Sequence, residues 1–153
     1  MTQENIDAYY MRMALREAEK GKSEGEVPIG AVIVCGERIL AKAHNLTETL
    51  KDVTAHAEIL AITSASENLG GKYLPDCTLY VTVEPCVMCA GALGWSQIGR
   101  IVYGTADEKK GYTHVCHGFN PLHPKTRVTD GVMEADASFL MKDFFRNKRA
   151  NKK

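Results

Sequence analysis

A β-strand followed directly by an α-helix is predicted by residues 78–89, which read TLYVTVEPCVMC. The first six of these residues are mostly β-branched or aromatic, which favours a buried central strand. Pro85 suits the first position of a helix, because its missing N–H would have no partner there, and we expect that helix to run to about Gly94. Cys86 and Cys89 are three residues apart and therefore lie on one face of the helix. The strand-to-helix turn thus presents two thiols at one edge of a sheet, where α/β folds commonly bind ligands.

The flanking sequence alternates between strand and helix patterns, which predicts an α/β layered domain. A chain of 153 residues fits a single domain spanning residues 1–153. The expected elements are an amphipathic helix at 6–20, a hairpin of strands at 31–34 and 39–43, a helix at 55–67 with Thr54 as N-cap and Gly70-Gly71 at its exit, a strand at 100–104, a long loop at 105–124 with room for a short helix, a strand at 126–128, and a basic C-terminal helix at about 134–150.

Composition narrows the classes of protein to which this chain can belong. Nineteen basic and 19 acidic side chains cancel, so attraction of the whole molecule to nucleic acid is weak. The hydrophobic content of 44% supports a packed core. The N-terminus lacks the apolar run of a signal peptide, and no stretch approaches the roughly 18 apolar residues of a membrane helix. Five cysteines, an odd number, argue against a disulfide framework. We therefore expect a cytoplasmic protein that does not bind a membrane.

The end of the chain is locally basic in spite of the zero net charge. Between residues 142 and 153 the only acidic residue is Asp143. Such a segment serves either as a solubilising helix or as a surface for an acidic partner such as RNA. The basic residues in it are Lys142, Arg146, Lys148, Arg149, Lys152 and Lys153.

His56 and Glu58 complete a set of side chains that suits a catalytic metal. Together with Cys86 and Cys89, His56 supplies the three protein ligands that a catalytic zinc uses while its fourth position stays open. Glu58 lies two residues from His56, off its helix face, and need not be a ligand. A carboxylate near the zinc can take a proton from a metal-activated water and pass it on. This pattern predicts hydrolytic attack on an amidine-like ring carbon with release of ammonia.

Two less demanding interpretations stay open on the residues alone. A structural zinc site would be closed by a fourth protein ligand, for which Cys116, His114 and His117 are the candidates. A zinc-stabilised RNA-binding protein without catalysis would not depend on Glu58. Replacement of Glu58 separates these interpretations from the catalytic one.

The two motifs His56-Ala57-Glu58 and Pro85-Cys86-Val87-Met88-Cys89 match the signature of the zinc-dependent base deaminases. The chain resembles, in particular, the bacterial tRNA-specific adenosine deaminases, and the similarity extends to residues 26–32, 98–104 and 144–146. The resemblance implies a three-layer α/β/α cytidine-deaminase-like fold with a central mixed five-stranded sheet, one Zn²⁺ per subunit and a homodimer. It also implies conversion of adenosine to inosine at the wobble position of a tRNA anticodon stem-loop.

The resemblance assigns roles to individual residues. It makes His56, Cys86 and Cys89 the zinc ligands and Glu58 the catalytic proton shuttle. The substrate-binding residues that it implies are Asn45, Val27, Pro28, Ile29, Asp107 and His123, and the contacts to the RNA backbone are Lys109, Lys110, Arg146, Lys148 and Arg149.

Two positions depart from the pattern of the tRNA-specific enzymes. Leu122-His123-Pro124 stands where many relatives have an asparagine–histidine pair, so His123 is either a substitute substrate contact or a loop residue. Trp95, at the end of the zinc-bearing helix, is similar to a tryptophan of free guanine deaminases. The alternative function is therefore a free nucleobase deaminase, acting on guanine or cytosine, with the same fold.

Overall fold

The structure is a computed structural model that describes residues 1–151. Lys152 and Lys153, which end the predicted basic segment, lie outside the described residues. None of the helices in residues 1–151 combines the length and the apolar character needed to cross a membrane. The elements in chain order are α1 (Gln3–Ser23), β1 (Gly30–Cys35), β2 (Arg38–His44), α2 (Thr47–Leu50), α3 (Ala57–Leu69), β3 (Cys77–Val83), α4 (Val87–Ser96), β4 (Arg100–Thr105), α5 (Tyr112–Val115), β5 (Arg127–Thr129) and α6 (Glu134–Ala150).

The five strands form one mixed sheet in the order β2-β1-β3-β4-β5. β1 pairs antiparallel with both β2 and β3, as the predicted hairpin requires, while β3, β4 and β5 are parallel to one another. Every strand except β1 therefore runs in the same direction. β2, β3, β4 and β5 all end at one edge of the sheet, which we call the carboxyl edge. The mixed five-stranded sheet that the family resemblance implies is confirmed.

Helices cover both faces of this sheet. Successive residues of a strand point to opposite sides, so the buried strands present apolar side chains to helices on each face. Val32, Tyr80 and Val102 pack in one core with α1 and α6. Their neighbours Ile33 and Leu79 face the other way and pack in a second core with α3 and α4. This arrangement confirms the three-layer α/β/α prediction. The principal helix residues of the two cores are Met11, Ala14 and Leu140 on one side and Ala61, Ala65 and Leu93 on the other.

The first turns of two helices differ from the prediction. Thr54 is not an N-cap: its N–H and its hydroxyl both donate to Asp52 Oδ1, at 2.8 and 2.7 Å, so its side chain is occupied by a preceding turn. His56 takes the N-cap position, and α3 begins at Ala57. Likewise Pro85 precedes the N-cap of α4, which is Cys86. Both corrections place a metal-ligand candidate at the N-cap itself.

A buried ion pair joins α1 to the first residue of β4, at the edge of the sheet opposite the carboxyl edge. Arg100 donates two hydrogen bonds to the carboxylate of Asp7, at 2.8 and 2.7 Å, and the Tyr80 hydroxyl donates a third at 2.8 Å. Burial opposes ionisation of Asp7, but the bonds from Arg100, Tyr80 and Gln3 outweigh it and hold the pKa of Asp7 below its ordinary value. The network joins α1, β3 and β4.

We expect the free energy of unfolding to fall as the pH drops below about 4, partly through Asp7. An unfolded aspartate has a pKa of about 3.9, and the folded pKa of Asp7 is lower. The unfolded chain therefore binds more protons in this range, and the stabilisation that Asp7 provides above it is lost as the pH falls through the folded pKa. Urea unfolding at pH values of about 5 and about 3 measures the loss. Asp7→Asn cannot ionise and should show a weaker pH dependence; an unchanged dependence would contradict the assignment.

Candidate active site

Three side chains of metal-binding type converge at the carboxyl edge of the sheet. His56 Nδ1 lies 3.6 Å from Cys86 Sγ and 3.5 Å from Cys89 Sγ, and the three ligand atoms are all within 4.8 Å of one another. A tetrahedral zinc with ordinary Zn–N and Zn–S bond lengths separates its nitrogen and sulfur ligands by about 3.6 Å. The donor set and its spacing therefore fit a zinc ion.

Local structure explains why these side chains are free to meet. His56 and Cys86 are the N-cap residues of α3 and α4, both with extended backbone, and neither side chain caps its own helix. Cys89 follows in the first turn of α4. β2 and β3 end at the same edge; α4 follows β3 directly and α3 follows β2 after the single turn of α2, so α3 and α4 both start at this edge. The cluster thus uses two helix starts, where the helix dipole favours thiolate.

The two thiols differ in acidity. The Cys89 thiol donates to Cys86, and this effect outweighs burial and lowers the pKa of Cys86 to about 5. The same hydrogen bond, together with burial, raises the pKa of Cys89 above its ordinary value. One thiolate therefore forms readily, whereas a second negative charge needs a cation between the sulfurs. A divalent metal ion supplies that charge.

Glu58 lies beside the cluster and is not part of the group of three. The residue is buried, with 4% of its surface exposed. Burial raises the pKa of Glu58 to about 7, and the charge of Cys86 adds to the rise, while a hydrogen bond with the Cys89 thiol opposes it. The carboxyl group is therefore next to the ligands and able to exchange a proton near neutral pH.

A fourth protein ligand does not join the cluster within residues 1–151. Cys116 packs against the hydrophobic core between α3, α4 and the sheet. The rings of His114 and His117 lie near each other, with their centroids 6.1 Å apart and their planes inclined by 48°. The structural zinc site considered from the sequence, which requires one of these three residues, is not formed here.

Asn45 presents an unpaired acceptor at the same edge. It is 5% exposed, and its side-chain Oδ1 is the one buried side-chain polar atom among the described residues without a hydrogen-bond partner. Its Nδ2 donates to Glu26 Oε1 at 3.4 Å and to Thr47 Oγ1 at 3.3 Å. Leu46 then donates to the carbonyl of Ala55, which joins this segment to the start of α3. An orphaned buried carbonyl at this edge of the sheet is a candidate for binding a polar ligand.

Residues 27–29 lie next to Asn45. Pro28 is buried and Val27 and Ile29 are half-buried. Ile29 accepts a hydrogen bond from the Asn45 N–H at 3.1 Å and packs against the core on the side of α3 and α4. The structure thus brings this apolar segment and Asn45 together just before β1 begins.

Two buried carboxylates that were not predicted from the sequence bind backbone N–H groups of the segments around the cluster. Glu26, fully buried, accepts hydrogen bonds from the N–H groups of Glu48 and Thr49 at the start of α2, which was also not predicted. Burial opposes this ionisation, but the hydrogen bonds from Thr49 and Glu48 lower the pKa of Glu26. Glu84, also buried, holds the loop that follows β4. The signal for Glu84 was its position between a buried strand and Pro85, where a charge has little access to water.

The loop after β4 carries Asp107, Lys109 and Lys110. Asp107 Oδ1 accepts the N–H groups of Lys109 and Lys110 at 3.1 and 3.0 Å, so its side chain organises the turn. Both lysines are exposed. Because the loop follows the end of β4, it lies at the carboxyl edge with the cluster.

His123 is placed elsewhere. Its Nδ1 accepts the Lys125 N–H at 3.1 Å, and its side chain lines a cavity of about 360 Å³ with Gln97 and Ile98, beyond the C-terminal end of α4. The structure does not bring His123 to the metal-ligand cluster, which lies at the N-terminal end of α4. Trp95 also lies near that far end and is 85% exposed.

The C-terminal half of α6 is basic and exposed, and it lies near the carboxyl edge of the sheet. Arg146, Lys148 and Arg149 are exposed. Just before them, Asp143 pairs with Lys22 at 2.6 Å. Lys22 is in the last turn of α1, and that end of α1 reaches the last residue of β2 through the contact of Glu17 with His44 at 3.2 Å.

Comparison with known proteins gives consistent results. A family model of the MafB19-like deaminases matches residues 5–149. The tRNA-specific adenosine deaminase of Aquifex aeolicus (strain VF5) is 45% identical over 147 residues, covering 94% of this chain and 96% of the relative. The tRNA-specific adenosine deaminase of Bacillus subtilis (strain 168) is 42% identical over 156 aligned positions, covering 100% of this chain and 95% of the relative.

Solved structures agree in fold. One, from a study of A-to-I editing by tRNA:A34 deaminases at the wobble position of transfer RNA, superposes with a TM-score of 0.80 at 40% identity, covering 86% of this chain and 98% of that one. The guanine deaminase of Bacillus subtilis superposes with a TM-score of 0.62 at 35% identity, covering 79% and 73% of the two chains. The chain belongs to the MafB19-like deaminases and, among them, to the family of the tRNA-specific adenosine deaminases.

Proposed function

We propose that this protein is a zinc-dependent hydrolytic deaminase that converts adenosine to inosine at the wobble position of a tRNA. The observation that carries the proposal is the buried carboxyl group of Glu58 beside a three-ligand cluster. His56, Cys86 and Cys89 would hold one Zn²⁺ per subunit. When bound, this ion would lower the pKa of a water molecule and so make it a nucleophile at neutral pH.

The reaction replaces the exocyclic amine of adenine by an oxygen atom from water and releases ammonia. Glu58 takes a proton from the attacking water and delivers it to the ring nitrogen beside the reacting carbon. It then takes the remaining proton from the newly attached hydroxyl and gives it to the exocyclic amine, which leaves as ammonia as the carbonyl forms. Burial of Glu58 keeps bulk water away from these transfers. Asn45, with its unpaired Oδ1, would orient the flipped base, and Val27, Pro28 and Ile29 would form the apolar wall of its pocket.

The tRNA substrate is supported by the near full-length identity to tRNA-specific relatives. Exposed basic residues also stand on the side of the carboxyl edge, where they would contact the RNA backbone. We assign this role to Lys109, Lys110, Arg146, Lys148 and Arg149, with Asp107 organising the turn that holds the two lysines. His123 is left out of the base pocket, because it lines a cavity at the far end of α4.

A direct test compares substrates. Zinc-loaded protein is incubated with an anticodon stem-loop RNA that has adenosine at the wobble position and, separately, with free guanine, cytosine and adenine, and ammonia release is measured. We expect release from the RNA and inosine in its digest. Release from a free base alone would overturn the proposal in favour of a nucleobase deaminase. The lower identity and coverage of the guanine deaminase, compared with the structure from the tRNA:A34 deaminase study, favour the RNA substrate.

Removal of the loop lysines should weaken RNA binding without changing the chemistry. We expect Lys109→Ala with Lys110→Ala to raise KM for the stem-loop about tenfold and leave kcat within about twofold, because phosphate contacts contribute binding and no reacting group. The slope of log KM against log salt concentration should fall by about one per lysine. The matched control is Lys72→Ala, an exposed lysine before β3. An unchanged salt dependence in the double variant would remove these lysines from the interface.

The proposal includes a homodimer in the cytoplasm, where a tRNA substrate is found. Val87 and Trp95, on the helix that carries the cysteines, are 48% and 85% exposed. An exposed apolar surface of this kind commonly marks a protein interface. Sedimentation of the full chain measures its mass in solution, and a monomer at micromolar concentration would contradict the dimer.

A further inference from the structure

Glu84 directs its carboxylate at one short segment of the chain, residues 107–113. Oε1 accepts the Asp107 N–H at 3.1 Å, and Oε2 accepts the N–H and the hydroxyl of Thr113 at 3.0 and 2.6 Å. The residue is 4% exposed. A buried carboxylate is stable only when it is hydrogen-bonded or paired, and here every donor comes from this segment.

The same segment lies directly against the start of the zinc-ligand helix. Tyr112 donates its N–H to the carbonyl of Pro85 at 3.0 Å, and Gly111 forms an isolated β-bridge with Cys86. Gly111 is needed at this position, because a Cβ there would lie 2.4 Å from the Glu84 carboxylate. The loop is therefore packed between Glu84 and the backbone of a candidate ligand.

The contacts of Glu84 fall at the two ends of the segment, and its middle faces solvent. Asp107 N–H and Thr113 N–H are six residues apart, while Glu108, Lys109 and Lys110 between them are exposed. Glu84 thus joins the two ends of the segment, and the Asp107 side chain organises the turn between them that carries the lysines. Hydrogen bonds to a charged group stabilise such a loop more than neutral ones do.

We propose that Glu84 is a positioning residue that fixes the 107–113 loop beside Cys86 and so sets the place of Lys109 and Lys110 at the carboxyl edge of the sheet. Glu84 does not contact the reacting atoms. Its effect on activity rests on the proposed function, whereas its effect on the loop does not. The two effects can therefore be measured separately.

The test uses Glu84→Gln, which keeps the shape of the side chain and removes its charge. We expect amide hydrogen exchange in residues 107–113 to become at least about tenfold faster, with zinc content unchanged at one per chain. With the stem-loop RNA, KM should rise about tenfold and kcat should stay within about threefold. Thr113→Val, which removes one donor, should shift exchange and KM in the same direction by less, and the double variant should add little to Glu84→Gln.

Glu108→Gln removes an exposed carboxylate from the same loop and is the matched control, expected to leave exchange unchanged. Unaltered exchange of residues 107–113 in Glu84→Gln would overturn the proposal. So would a loss of kcat with KM unchanged, since that result would place Glu84 in the chemical step. If the wild-type chain does not deaminate the RNA, the proposed function fails, and the exchange measurement still decides the role of Glu84.

Discussion

Glu58→Gln is expected to lower kcat on the stem-loop RNA by at least about a thousandfold, while the protein stays folded and retains zinc. Glutamine has nearly the same volume and fills the buried position of Glu58, but its amide cannot take a proton from water. Glu58 is next to Cys89 and is not one of the three converging ligands, so metal binding should survive. Ammonia release, zinc content and the thermal unfolding midpoint are measured on the same preparation.

The matched control is Glu67→Gln. Glu67 is on the same helix but is exposed near its C-terminal end, and its replacement should leave kcat, KM and zinc content unchanged. Full activity of Glu58→Gln would remove the proton shuttle from the mechanism and favour a zinc-stabilised RNA-binding protein. Loss of zinc from that variant would instead make Glu58 part of the metal site.

Arg100→Ala should destabilise the protein by about 3–5 kcal/mol, because it leaves the buried Asp7 carboxylate without its charged partner. Both residues are buried, and the guanidinium also donates to Thr129 Oγ1 at 3.0 Å, which fixes β5 to β4. Urea unfolding followed by circular dichroism measures the loss. The double variant Asp7→Asn with Arg100→Met should recover part of it, because neither side chain then leaves a charge buried.

The comparison within the same chain is Lys22→Ala. Its pair with Asp143 is short, at 2.6 Å, but partly exposed to solvent. Exposed pairs contribute little, since water and salt screen them. We therefore expect no measurable change in the free energy of unfolding. Equal losses for Arg100→Ala and Lys22→Ala would show that burial does not govern the strength of these pairs.

Periodicity predicted the layers of the fold but not the first turns of its helices. Runs of apolar residues at β1, β3 and β4 identified these strands to within one residue, because a buried strand needs an apolar side chain at nearly every position. Thr54 was chosen as a cap for its residue type, yet Asp52 engages its hydroxyl first. Whether the Thr54 hydroxyl caps the helix or bonds to Asp52 depends on the backbone geometry of the turn, which the residue type alone does not reveal. α2, a single turn held by Glu26, has no periodic signal at all.

The candidate ligands could be predicted from the sequence, whereas the supporting residues could not. His56, Cys86 and Cys89 have side chains whose chemistry is specific for metals, and their spacing restricts where they lie. Glu26 has no such signature, and the only signal for Glu84 is its position between a buried strand and Pro85. The backbone groups that both carboxylates bind lie more than 20 residues away in the chain and meet them only in the folded state. For His123 the sequence left open a substrate contact or a loop residue, and in the structure its side chain lines a cavity at the far end of α4.

The length of β4 separates two regions that evolution can change independently. Arg100 begins this strand and Thr105 ends it, so the ion pair with Asp7 stands about 17 Å from the loop that reaches the metal ligands. Substitutions this far apart usually have additive effects on stability. Stabilising changes around Arg100 could therefore compensate for destabilising ones around the base pocket, and altered substrate preference could be selected without loss of the folded protein.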